Sequence, residues 1–138
     1  MSLRDTARAM SENLDLVRSI CADWERGDFG TLDWADEAIE FVNADELAPA
    51  TWVGRAELVR GSRAWLSAWA DFRMVADRII EVDRRVLVLG HVSGRGKTST
   101  LTVDHERAAI VDIKNGKVTH FVVYTEQKRA LADLGLSE

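Results

Sequence analysis

The sequence predicts an α+β domain in which helices cover one face of a mainly antiparallel sheet. Helical spacing of apolar residues dominates the first half of the chain, and β-rich runs dominate after Asp71. Those runs are separated by short turn signals, among them Asn115-Gly116, a strong hairpin dipeptide.

The elements can be justified in chain order. From about Arg4 to Arg26, Leu14, Val17, Ile20, Cys21 and Trp24 recur every three or four residues, and Gly27 follows as a helix stop. Thr31 to Trp34 predict a short helical turn, and Ala38 to Val42 a first strand before a loop from Asn43 to Ala50. Gly54 opens a second helix, with Glu57 favouring its dipole and Leu58, Trp65, Leu66 and Trp69 on one apolar stripe. The runs FRMVADRIIEV, RVLVLGHV, STLTVDHERAAIVDI and VTHFVVY then read as strands. A last helix is expected from about Glu126 to Leu134, ending at Gly135.

Composition bounds the function. A chain of 138 residues with 46% apolar content fits a single domain over residues 1–138, its core at about 11–136. Such a chain buries roughly two thirds of its unfolded surface. A net charge of -5 gives no basic footprint for nucleic acid or an anionic membrane. No apolar run approaches a membrane span, and MSLRDTARAM lacks the apolar core of a signal peptide. The single cysteine, Cys21, cannot form an internal disulfide, so a cytoplasmic protein is expected. No cofactor is expected.

LGHVSGRGKTST, Leu89 to Thr100, resembles a phosphate loop, with Gly-Lys-Thr at 96–98. The first glycine of that motif would have to stand where His91 is, and a helix would have to follow. The next residues suit a strand instead. Gly94 and Gly96 are therefore expected to bend a long antiparallel pair, leaving Arg95 and Lys97 in solvent.

WERGD, WADEAIEF, WVGRAELV followed by WLSAW, GRGKTS, IKNGKV and ALADLGL occur in an order that resembles the nuclear transport factor 2-like superfamily. Within it the chain looks like the SnoaL-like group of polyketide cyclases and ketosteroid isomerase relatives. The resemblance spans about residues 13–136. It implies a strongly curved mixed or antiparallel sheet with cystatin-like topology, forming a cone closed by the N-terminal helices, and commonly a homodimer. It also spans enzymes and domains with no chemistry, so the fold assigns no reaction.

Functional residues carry over poorly. Ketosteroid isomerases use an Asp base with a Tyr and a protonated Asp at the oxyanion. The Tyr position falls on Ile20, the base on Val42 and the second Asp on Ala108, all apolar. Isomerisation by that mechanism is not expected.

If Ala108 faces inward, alternation brings Glu106 and Asp104 with it and turns His105 and Arg107 outward. Similar register reasoning sends Leu89, His91 and Ser93 inward. His91 is then the candidate acid or base and Glu106 the carboxylate that would fix its tautomer. Ile20, Trp24, Val42, Trp52, Trp69, Ala108 and Phe121 are the candidate pocket residues, although buried tryptophans also serve as core. His105 and His120 fall on the expected outer face. Cys21 reads as buried and inert, and no His or carboxylate pair has metal-ligand spacing.

Two functions fit. One is a cofactor-independent lyase, isomerase or cyclase that uses His91 and Glu106 on an apolar carbonyl compound. The other is a non-catalytic domain that binds a hydrophobic molecule or dimerises.

Overall fold

The computed structural model describes residues 3–30, 32–44, 49–98 and 100–136. Thr31, loop residues 45–48 and Ser99, parts of three sequence expectations, lie outside the described residues. The order is α1 (Leu3–Glu25), β1 (Ala35–Asn43), β2 (Ala50–Val53), α2 (Arg55–Leu66), β3 (Arg73–Val82), β4 (Arg85–Arg95), β5 (Thr102–Lys114), β6 (Lys117–Tyr124) and α3 (Gln127–Asp133). The expected helices and long strands are present. Leu32 to Trp34 form a turn into β1 rather than a helical segment, and β2, which the sequence pattern did not predict, starts at Ala50, the last residue of the expected loop.

The six strands form one open sheet in the order β2-β1-β6-β5-β4-β3. Only β1 and β6 run parallel, which makes the sheet mixed. Register shifts interrupt β1 between Ala35 and Glu40, β3 between Ala76 and Arg78, and β5–β6 near Asp112 and Ile113. An extra residue on one strand raises local twist and bends the ladder, so these positions curve the sheet. The β5–β6 hairpin turns on Asn115 and Gly116, both at positive φ (53° and 77°), as the sequence predicts.

Helices pack against both faces of the sheet. α1 covers one, packing Val17 and Ile20 on Ile39, Val86, Ala109, Val111 and Phe121. On the other, α3 brings Ala130 and Leu131 against Leu87, Ala108, Ile110 and Val122. Tyr124 donates its phenolic hydrogen to Asp133 at 2.6 Å and ties α3 to β6. The α3-side face also carries a polar row across four strands: Arg85 bonds Asp112 at 2.8 Å, and His120 lies 3.5 Å from Asp112 and 3.7 Å from Glu40.

The glycine segment makes a tight bend at the end of the antiparallel β4–β5 pair. β4 ends at Arg95, Gly96 N–H bonds the Leu101 carbonyl, and the segment pairs with the chain after α2 through Trp69 and Gly96. β5 follows, where a phosphate loop would need a helix.

Candidate active or binding cavity

A cavity of about 290 Å³ lies between the α1-side face of the sheet and α2. Its wall is aromatic. Trp24 and Phe29 come from the end of α1 and the loop beyond, Trp34 and Phe41 from the turn and β1, Trp52 from β2, and Trp65 and Phe72 from α2 and the approach to β3. These rings hold one another: Phe41 stacks on Phe121 at 4.9 Å and 11°, Trp24 meets Phe121 at 5.5 Å, and Trp65 sits edge-on to Phe72 at 4.4 Å. Offset and edge contacts of this kind add about 0.5–1.5 kcal/mol per pair beyond area burial, which stiffens the wall.

Gly61 makes room for one of them. A Cβ there would stand 2.2 Å from Trp52 Nε1, so only glycine lets the indole edge lie against α2. The polar lining comes mainly from neighbouring strands: Asn43 on β1, Thr125 just after β6, and Arg107 on β5. Register extends from Ala108 opposite Tyr124, so Arg107 and Thr125 are level. Ser62 Oγ, also in the wall, donates back into α2 at 2.7 Å from the Leu58 carbonyl oxygen. Among the described residues, the wall of this cavity has no carboxylate, imidazole or thiol.

The expected facing of β4 and β5 is corrected by one residue. Val92 and Arg107 line the cavity, whereas Leu87, Leu89, Ala108 and Ile110 pack towards α3. His91 and Glu106 share that second parity. They are paired across β4 and β5, as expected, but Glu106 is exposed and the His91 ring Nδ1 lies 3.1 Å from Asp77 Oδ2 in the β3 bulge. His91 also borders a pocket of about 60 Å³ beneath α1, shared with Ile20, Cys21, Trp24, Ala108 and Phe121. Asp104 is exposed near the start of β5. Arg107, expected outward, is the charged residue of the cavity wall, and His105 has its parity but is exposed.

The remaining candidates divide. Trp24 and Trp52 line the main cavity; Ile20 and Phe121 are core beside it. Val42 packs on the α3 side, so its inward neighbours on β1 are Phe41 and Asn43. Trp69 lies beyond the end of α2, off the helical stripe, and lines a second cavity with Arg63 and Arg73. The residues beside Val42 and Ala108 that do face the α1 side, Phe41, Asn43, Arg107 and Ala109, include no carboxylate. Arg107 was missed because the parity of β5 was set from Ala108, and Asn43 because the site position on β1 was set at Val42.

Burial, then the nearby Glu25 carboxylate, pushes the Cys21 thiol up to about 11, so it is protonated near neutral pH. No group of three or more His, Cys, Asp or Glu among the described residues is arranged to hold a metal ion. No described helix is long and apolar enough to cross a membrane.

An open α+β sheet with an aromatic cavity under its helices is the architecture of a SnoaL-like pocket protein. The SnoaL-like domain family matches residues 17–121, and the chain belongs to that family. No curated protein matches it. Its fold is similar to an NTF2-like protein of unknown function from Burkholderia pseudomallei K96243, with a TM-score of 0.72, 19% identity and coverage of 88% of this chain and 95% of that one. It is similar also to Bal32a from a soil-derived mobile gene cassette, with a TM-score of 0.74, 18% identity and coverage of 91% and 98%. TerC, co-crystallised with polyporic acid, gives a TM-score of 0.70 at 19% identity, covering 89% and 97%.

Proposed function

We propose that this protein binds a flat, largely apolar molecule in the main cavity, with an acidic or carbonyl oxygen directed at Arg107. The observation that carries the reading is the composition of the wall. Seven large aromatic residues, Trp24, Phe29, Trp34, Phe41, Trp52, Trp65 and Phe72, surround a space at the lower end of ligand-pocket size. Against them the lining sets one cation, Arg107, flanked by Asn43 and Thr125. Rings supply area and stacking, and a guanidinium in an apolar wall selects an oxygen of negative or partly negative charge. Proton transfer by a cavity-facing carboxylate or histidine is not part of this reading, because the described wall has neither. TerC, of the same fold, was crystallised with polyporic acid, which is in line with an acidic organic ligand.

Calorimetric titration with 2-naphthoate and its neutral relative 2-naphthamide tests the reading. Naphthoate is expected to bind, Arg107→Met to weaken it about tenfold or more, and naphthamide to be little affected by that change, since a charge-assisted contact is worth about 1.5–3 kcal/mol. Trp52→Ala should weaken both. Absence of binding by either compound, or an Arg107→Met protein that holds naphthoate unchanged, defeats the proposal. Conversion of a bound aromatic carbonyl compound to product would favour the enzyme reading instead.

A further inference from the structure

The main cavity has a neighbour. A second cavity of about 310 Å³ opens between the loop after α1, the outer turn of α2 and the start of β3. Phe29, Leu32, Ser62, Leu66 and Phe72 belong to the walls of both, so the two spaces are divided by a single layer of side chains. Their chemistry differs. Two arginines, Arg63 and Arg73, line the second space, and no carboxylate does among the described residues.

Arg73 is held in place from two sides. Its guanidinium donates to the Phe72 carbonyl at 3.0 Å, reaches the exposed Asp71 carboxylate at 3.3 Å, and lies against Gly27. A Cβ at Gly27, already in the left-handed region at φ 81°, would stand 2.2 Å from Nη1. Arg63 comes from the last turn of α2 and is exposed.

Along the sheet, the shared wall stands well away from Arg107. Arg73 is level with Ser93 and Asp104, so Phe72, in the shared wall, sits about level with Val103, four residues along β5 from Arg107. At roughly 3.3 Å per residue that is about 13 Å.

Resting on the binding reading above, we infer that the ligand is elongated and carries a second, anionic group, a carboxylate or phosphate on a short tail, which crosses the shared wall into the Arg63–Arg73 cavity. The aromatic chamber then holds the body and Arg107 the oxygen at its far end. Leu32 and Leu66 are the flexible members of the wall that the tail must displace. The partial neutralisation of Arg73 by Asp71 leaves Arg63 as the larger contributor.

Three probes separate this from the binding reading: 2-naphthoate, with no tail; 6-(5-carboxypentyl)-2-naphthoate; and the same compound with its tail carboxylate as a methyl ester. The tailed diacid is expected to bind about tenfold tighter than the ester, consistent with charge-assisted contacts at a partly exposed site. Arg63→Gln should cut that preference to about twofold, and Arg63→Gln with Arg73→Gln should abolish it. 2-Naphthoate should bind all three proteins alike. Equal binding of diacid and ester by the unaltered protein overturns the inference while leaving the aromatic chamber intact. So does a fall in 2-naphthoate binding as large as that of the diacid. If the double variant does not fold, Arg63→Gln decides alone, because its side chain lies exposed on a helix surface. Failure of every probe, 2-naphthoate included, removes the binding reading and this inference with it.

Discussion

At the scale of single residues, Gly61 and Trp52 decide whether the cavity exists. Alanine is a better helix former than glycine by about 1 kcal/mol, so Gly61→Ala favours α2 locally. The added Cβ nevertheless collides with the rigid indole, whose open side is the cavity. We expect the variant to fold, with unchanged circular dichroism, and to bind 2-naphthoate at least about tenfold more weakly, the loss of roughly 1.4 kcal/mol of pocket complementarity. Cys21 gives a second test. With its thiol raised to about 11 by burial and then by Glu25, little thiolate is present at pH 7.5. Alkylation by iodoacetamide, followed by mass, should be at least about tenfold slower in the folded protein than in urea, because the thiolate is the reacting species. Fast alkylation of the folded protein would contradict the burial of the sulfur.

Among elements, the β5–β6 hairpin is the most self-contained. Asn115 and Gly116 carry the two positive φ angles of its turn, and nothing lies within 4 Å of a Cβ built on Gly116. Gly116→Ala therefore tests backbone strain alone. A loss of about 1–2 kcal/mol is expected, read from the denaturant midpoint at unchanged slope. A change below about 0.5 kcal/mol would mean the turn relaxes to another type. The β3 bulge acts in the other direction, by shifting register. It offsets Asp77 from its strand neighbours and brings its carboxylate within 3.1 Å of the His91 ring, a polar contact beside the edge strand rather than in the aromatic cavity.

For the molecule as a whole, stability should fail at alkaline rather than neutral pH. Cys21 moves from 9.0 to about 11, and Tyr124 from 10.0 to about 12 through burial and then its bond to Asp133. Both groups hold their protons more tightly folded than unfolded. Their contribution is complete below the unfolded values and is lost as the unfolded chain deprotonates first. The melting temperature is thus expected to fall between about pH 9 and 12. Cys21→Ala with Tyr124→Phe should start from a lower melting temperature and show a shallower fall over that range. An equally steep fall would place the alkaline sensitivity elsewhere.

The sequence by itself determined the α+β class, the helices α1 to α3 and the five strands other than β2, because helical and strand periods and the Asn115-Gly116 turn are local signals, and the order of its motifs pointed to the SnoaL-like family. β2 escaped it: four residues are too few to show a period, and they are a strand only because β1 pairs with them. The facing of β4 and β5 was decided by tertiary structure. Ala108, Ala109, Ile110 and Val111 are all buried, since α1 covers one face and α3 the other. A strand buried on both sides has no polar alternation to mark its inner residues, and a shift of one exchanges the faces. That shift put His91 and Glu106 inside on paper and Arg107 outside. Packing reverses the assignment: Arg107 stands in the aromatic wall, and His91 and Glu106 do not.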